Sequence, residues 1–201
     1  MSMMDTTHNN ATLTYSTTSV CGWVVKYQPG VWKFCPALLE LLTDDLQEVT
    51  SLVPSDILSC MQTTTIYINK TFRYHDHDKN ILGACCHNSA EWLEENGNLT
   101  EKESHVEIYD CWSYMEWVST QPAMMLHELC HALHWRRREE LDDVIRTAFK
   151  TAMETAKYDR VFHFDRSIRL EIPCFILCTL HCTISYLQAP LCHNQHAGIF
   201  R

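Results

Sequence analysis

Positive charge is scarce in this chain: 16 Lys and Arg stand against 25 Asp and Glu in 201 residues, a formal net charge of -9. A surface of that sign repels a phosphate backbone, which excludes nucleic-acid binding as the main task. Glycine and proline are also few, at 5 and 6. With 46% hydrophobic and 20% charged residues, collagen-like, low-complexity and wholly disordered classes drop out. No Cys-x-x-Cys pair occurs, the cysteine total of 11 is odd, and no apolar stretch follows basic residues at the N-terminus. A secreted disulfide framework is therefore not expected, and a reducing, cytoplasmic setting is favoured. The Asn-x-Thr sequons at Asn10, Asn69 and Asn98 then read as coincidental. No internal repeat is visible.

What is present fits one domain with a lead-in and a tail. Residues 1–19 are rich in Thr, Ser and Asn without apolar periodicity, and read as a disordered lead-in. Val20 to Tyr27 reads as a strand, and from Pro36 to Val53 the residues Leu38, Leu39, Leu42, Leu46, Val49 and Leu52 recur at helical spacing in a helix stopped by Pro54. Strands are expected at Thr64–Asn69 and His105–Tyr109, with a polar loop from Arg73 to Asn80. Ser89 can cap a short helix that ends at Asn96-Gly97, and another helix follows at Trp112–Val118. Past Pro122 the run Met124, Met125, Leu126, Leu129, Ala132 and Leu133 marks a largely buried helix. Arg136 to Glu140 reads as a charged connection to a last helix carrying Val144, Ala148, Ala152 and Ala156. Cys174, Cys178, Cys182 and Cys192 cluster in the last 28 residues, and from Ile172 to Leu191 no formal charge occurs. That length matches a bilayer span, but Pro173, His181, Gln188 and Pro190 weigh against one.

The buried helix holds His127-Glu128-Leu129-Cys130-His131. At 100° per residue, His127 and His131 stand nearly in line, one turn apart, so both imidazoles can reach one metal ion. Glu128 is one position off that line, where its longer side chain can take a proton from a metal-activated water without ligating. His134 shares the face, but about 10.5 Å of rise separates it from His127, so it cannot join both. A His131/His134 pair is the weaker alternative. His75 and His77, in Tyr74-His75-Asp76-His77-Asp78, share a face in an extended chain, though a solvated loop is the better reading. Cys85 and Cys86 read as reduced, partly buried thiols.

Residues from about Gly22 to Asp165, roughly seven tenths of the chain, resemble a family of largely uncharacterised zincin-like proteins distantly similar to the catalytic domain of anthrax lethal factor. The resemblance rests on Gly22-Trp23-Val24-Val25, Ile66-Tyr67-Ile68-Asn69, Cys86-His87-Asn88-Ser89-Ala90-Glu91-Trp92-Leu93 and Val106-Glu107-Ile108. Above all it rests on Gln121 to His134, where the family pattern is close to QPxxxLHELAHAYH and Cys130 and Leu133 depart from it. It implies a zinc-dependent hydrolase fold of α+β class, a small mixed sheet packed on an active-site helix, with His127 and His131 as ligands and Glu128 as base. In that picture His105–Tyr109 would be the sheet edge, either one on which an extended peptide could pair or an ordinary edge strand; Tyr158 or His163 could donate to an oxyanion, though a surface or core place is the better reading of each.

The family's third ligand is a downstream Glu in a motif like NxxEYFAE, and nothing like it occurs here. Glu139 and Glu140 continue the same helix, Glu154 depends on how the next helix folds back, and Glu171 lacks the matching context. Cys178, His181 and Cys182 could form a separate soft-metal cluster, although a small-residue helix face accounts for their spacing.

The expectation is thus a zincin-like domain over 20–165, C-terminally incomplete, and an atypical apolar Cys-rich tail over 166–201 that replaces the family's continuation. The function expected is a Zn2+-dependent peptidase-like hydrolase acting on a peptide or protein as a monomer, without nucleic acid, membrane attachment through 172–191 being disfavoured. The alternative is an inactive zincin-fold binding or membrane-attached module whose third ligand is lost.

Overall fold

The computed structural model describes residues 14–72, 83–120 and 123–154, and the backbone of 162–164 and 169–171. It is of mixed α+β class. Strands β1 (Ser16–Val20) and β2 (Trp23–Tyr27) form an antiparallel hairpin. Its two-residue turn places Cys21 at φ 49° and Gly22 at φ 91°, the left-handed pair such hairpins require. A Cβ at Gly22 would lie 2.4 Å from Gln62 Nε2, so the Gln62 amide, which donates to Cys21 O, would have to move. The folded region therefore starts earlier than the expected lead-in boundary. β1 is Ser-Thr-Thr-Ser-Val, and only Val20 of it is buried, so the apolar pattern could not announce it.

Helices α1 (Val31–Phe34), α2 (Leu38–Leu52) and α3 (Ser55–Met61) follow, then β3 (Ile66–Ile68), β4 (Ala84–Cys86) and α4 (Ala90–Glu95). A 3-10 turn at Thr100–Lys102 precedes β5 (Val106–Ile108), α5 (Cys111–Thr120), α6 (Met124–Arg136) and α7 (Arg138–Glu154). Only Arg137 separates α6 from α7, so Arg138 to Glu140 are helical and not the connection the charge run suggested. Strands β6 (Phe162–Phe164) and β7 (Arg169–Glu171) pair antiparallel across the position where the composition changes.

The main sheet has five strands in the order β1-β2-β3-β5-β4. β2, β3 and β5 run parallel, and β1 and β4 close the two sides antiparallel. This corrects one expectation: the strand at Val106–Ile108 is interior, and the edge is β4. Three residues bounded by Gly83 are too short to show a strand period.

Register sorts the side chains onto two faces. Val25, Ile66 and Val106 align with Cys86, and Tyr27, Ile68 and Ile108 align with Ala84. That face packs into one apolar cluster with Leu42 and Leu46 of α2, Met61 of α3, Tyr114 of α5 and Leu129 of α6, all fully buried. Each such Leu contributes about 1.5–3 kcal/mol by leaving water. The opposite row is Lys26, Tyr67, Glu107 and Cys85, and the segment between β4 and β5 covers part of it, because Glu107 is fully buried. No described helix is long and apolar enough to cross a membrane; residues 172–191 lie outside the described residues.

Candidate metal centre

α6 buries Met124, Met125, Leu126, Leu129, Cys130, Ala132 and Leu133, leaving little solvent-facing stripe. Its polar side chains must therefore find partners within the protein. The rings of His127 and His131 meet edge to face, with the two Nε2 atoms 3.0 Å apart. Zinc–nitrogen bonds of about 2.0–2.1 Å at a tetrahedral angle would hold two ligand nitrogens about 3.4 Å apart, close to this spacing. Both imidazoles are kept neutral, the ligating form. Burial pushes His127 down to about 4, with His131 beside it adding to the effect. Burial, then the nearness of His134, lowers His131.

Glu128 divides its carboxylate between two directions. Oε2 accepts the Cys86 backbone N–H at 2.8 Å, while Oε1 lies 3.9 Å from His127 Nε2. Cys86 has that N–H to give because β4 is an edge. Gly83 O accepts from Tyr109 and His87 N donates to His105 O, so by alternation the Cys86 amide points away from β5. Burial pushes the Glu128 carboxyl up to about 7, and the single amide bond offsets only part of this. A carboxyl poised near neutral pH can take a proton and return it.

The other candidates fall elsewhere. His134 Nε2 pairs with Asp142 Oδ1 of α7 at 2.7 Å, so that ring nitrogen is already engaged. Glu139 and Glu140 are exposed, Glu140 pairing with Arg137, and Glu154 pairs with Lys150 in solvent. Among the described residues no group of three His, Cys, Asp or Glu side chains could hold a metal ion. Cys85 and Cys86 are free thiols, half-buried as expected. His75, His77, Tyr158, Cys178, His181 and Cys182 lie outside the described residues, as do the side chains of His163 in β6 and Glu171 in β7.

Sequence reasoning missed a second polar centre, on the other face of the sheet. Glu107 of β5 accepts from Asn69 Nδ2 at 2.6 Å and Asn98 Nδ2 at 2.8 Å, pairs with Lys102, and accepts from His87 Nε2 at 2.7 Å. Lys102 Nζ also donates to Tyr15 Oη at 2.9 Å, and Tyr15 in turn donates to Asn69 Oδ1 at 2.5 Å. Asn69, Lys102 and Glu107 are fully buried, and His87 and Asn98 nearly so. Burial pushes the Glu107 carboxyl up, but the His87 hydrogen bond and the Lys102 charge more than cancel this and hold it below the usual range. Burial lowers Lys102, against the pull of Glu107.

The resemblance motif around His87 has a local reason here. Ser89 Oγ caps α4 by accepting Trp92 N at 3.1 Å, Trp92 stacks on His87, and Leu93 is buried. The available signal was a lone Glu inside the apolar Val106-Glu107-Ile108. Two sequon asparagines, Asn69 and Asn98, spend their side-chain amides on Glu107, so neither can carry a glycan in the folded protein. Compared with protein-family models, curated proteins and solved structures, the chain shows no match.

Proposed function

We propose that this chain is a zinc-dependent, peptidase-like hydrolase of zincin type, with His127 and His131 as ligands and Glu128 as general base. The observation that carries this reading is the meeting, on one buried helix, of two neutral imidazoles with facing Nε2 atoms and a carboxyl shifted towards neutrality beside them. Nitrogen donors at this spacing suit zinc, whose contribution in such a site is Lewis acidity towards a carbonyl oxygen and acidification of water. Glu128 has the tasks left to the protein. Its Oε2 is anchored on β4, so Oε1 is the oxygen free to accept a proton from the attacking water and pass it to the leaving amine. Among the described residues no strand pairs with the outer edge of β4, where Ala84 N–H and C=O could meet an extended peptide, and this favours a peptide or protein as the substrate class.

A second reading is favoured by one observation: the described residues furnish two ligands, whereas catalytic zinc sites use three. On that reading the chain is a catalytically inactive zincin-fold binding module. Zinc content and turnover of a peptide pool separate the two. Stoichiometric zinc, lost in His127→Ala, and hydrolysis abolished by Glu128→Gln support the hydrolase. Sub-stoichiometric zinc without hydrolysis supports the module. Metal that survives His127→Ala but leaves with residues 170–201 overturns both.

A further inference from the structure

β4 is three residues long, and a strand that short is weakly specified in register by its ladder alone. Its register nevertheless decides whether the Cys86 N–H meets Glu128 Oε2 or misses it. At its start, Gly83 N donates to Ser113 Oγ at 2.8 Å, and the Trp117 ring covers Gly83. At its end, the His87 main chain bonds to His105 O and accepts from Ser104 N. The His87 side chain, on the face opposite Cys86, reaches Glu107 Oε2 at 2.7 Å and lies between Trp92 and Tyr109. One residue thus ties the strand that carries the Glu128 partner to the most firmly held carboxylate in the described protein.

We infer that His87 is a positioning residue for Glu128: by clamping β4 to Glu107 it fixes the register in which the Cys86 amide holds one carboxylate oxygen and leaves the other towards the histidines. The inference rests on the proposed role of Glu128 as base. It does not make His87 a catalytic residue, because His87 touches neither the histidine pair nor Glu128. Asn98 donates to the same Glu107 Oε2 from a different segment. It contributes to the same cluster without holding β4, and so serves as the internal control.

The test is amide hydrogen exchange on the full, metal-free chain, read at Cys86 against Leu46 of α2. His87→Leu is expected to speed Cys86 exchange at least about tenfold relative to Leu46, the scale of losing a hydrogen bond to a charged group. His87→Gln can still donate to Glu107 and is expected to stay within about threefold of the parent chain. Asn98→Ala is expected to leave Cys86 as it was. If His87→Leu does not fold, His87→Asn, polar but too short to reach Glu107, takes its place. An unchanged Cys86 in the Leu or Asn variant overturns the inference, as does a Gln variant as loose as Leu, or an Asn98→Ala variant that loosens Cys86 equally. Neither metal nor substrate enters this reading, so absence of hydrolysis would remove the proposed function and leave the clamp. Conversely, a failed clamp would leave the hydrolase standing. Zinc affinity is expected to be unchanged by His87→Leu, since both ligands are on α6.

Discussion

Two carboxylates, Glu107 fully buried and Glu128 largely so, lie on opposite faces of the same sheet and meet opposite fates. Glu107 is surrounded by donors from Asn69, His87, Asn98 and Lys102 and stays charged with its pKa depressed. Glu128 has one backbone N–H, and burial carries it to about 7. The contrast separates architecture from chemistry. A carboxylate whose acceptor sites are filled has no capacity left for a proton, whereas one left partly unsatisfied is costly to keep and available for reaction.

The largest effect should come from breaking the satisfied side. Glu107→Gln strands the Lys102 charge in the interior and is expected to cost about 3–5 kcal/mol in urea unfolding. Because the folded pKa of Glu107 is depressed, its stabilisation is present above the unfolded carboxyl value and is lost as pH falls through the folded one. The gap between parent and variant should therefore narrow in acid.

The unsatisfied side should respond with the opposite sign. The Glu128 pKa is raised from 4.5 to about 7, so its contribution is intact below the lower value and lost as pH rises through the upper. Metal-free Glu128→Gln should unfold at the same denaturant concentration as the parent at pH 4, and be up to about 3 kcal/mol more stable at pH 8. A variant no more stable at pH 8 would show that Glu128 is better solvated than its surroundings indicate.

Two smaller substitutions test the strand that links the regions and the helix that covers one of them. Gly83 has φ 81°, and a Cβ there would lie 2.3 Å from the Trp117 ring. Gly83→Ala is expected to cost about 2 kcal/mol in thermal unfolding. Ser89→Ala removes the α4 cap and should cost about 1 kcal/mol in thermal unfolding.

How far the sequence disclosed all this followed the kind of pattern involved. α2 and α6 announced themselves because apolar residues recur at helical spacing over several turns, and Ser89 because capping is local. The His127–Glu128–His131 geometry was legible for the same reason: helical periodicity alone aligns positions four apart. β1 and β4 were not, the first being polar and the second too short to show alternation. The interior place of β5 could not be read either, since strand order is set by which edges meet in space. Glu107 was hidden most completely. Its partners are Asn69, just after β3, and His87, Asn98 and Lys102 along the connection between β4 and β5, and nothing in Val-Glu-Ile tells a solvent-facing Glu from one that organises an interior. A third ligating side chain beside the histidine pair is supplied neither by the spacing nor by the described residues.

The reach of the Glu107 cluster bears on the order of folding. Tyr15 and Lys102 are 87 residues apart along the chain, and Asn69 is 38 from Glu107. None of these bonds can form until the hairpin, the central strands and the excursion between β4 and β5 have already come together. Contacts of such long range are made late, after the loop-closure entropy has been met. Substitutions at Tyr15 or Asn69, which make the long-range bonds, should therefore leave the refolding rate nearly unchanged and accelerate unfolding. The cluster governs how long the native chain lasts once made, while the speed of its making is left to the apolar face on the other side.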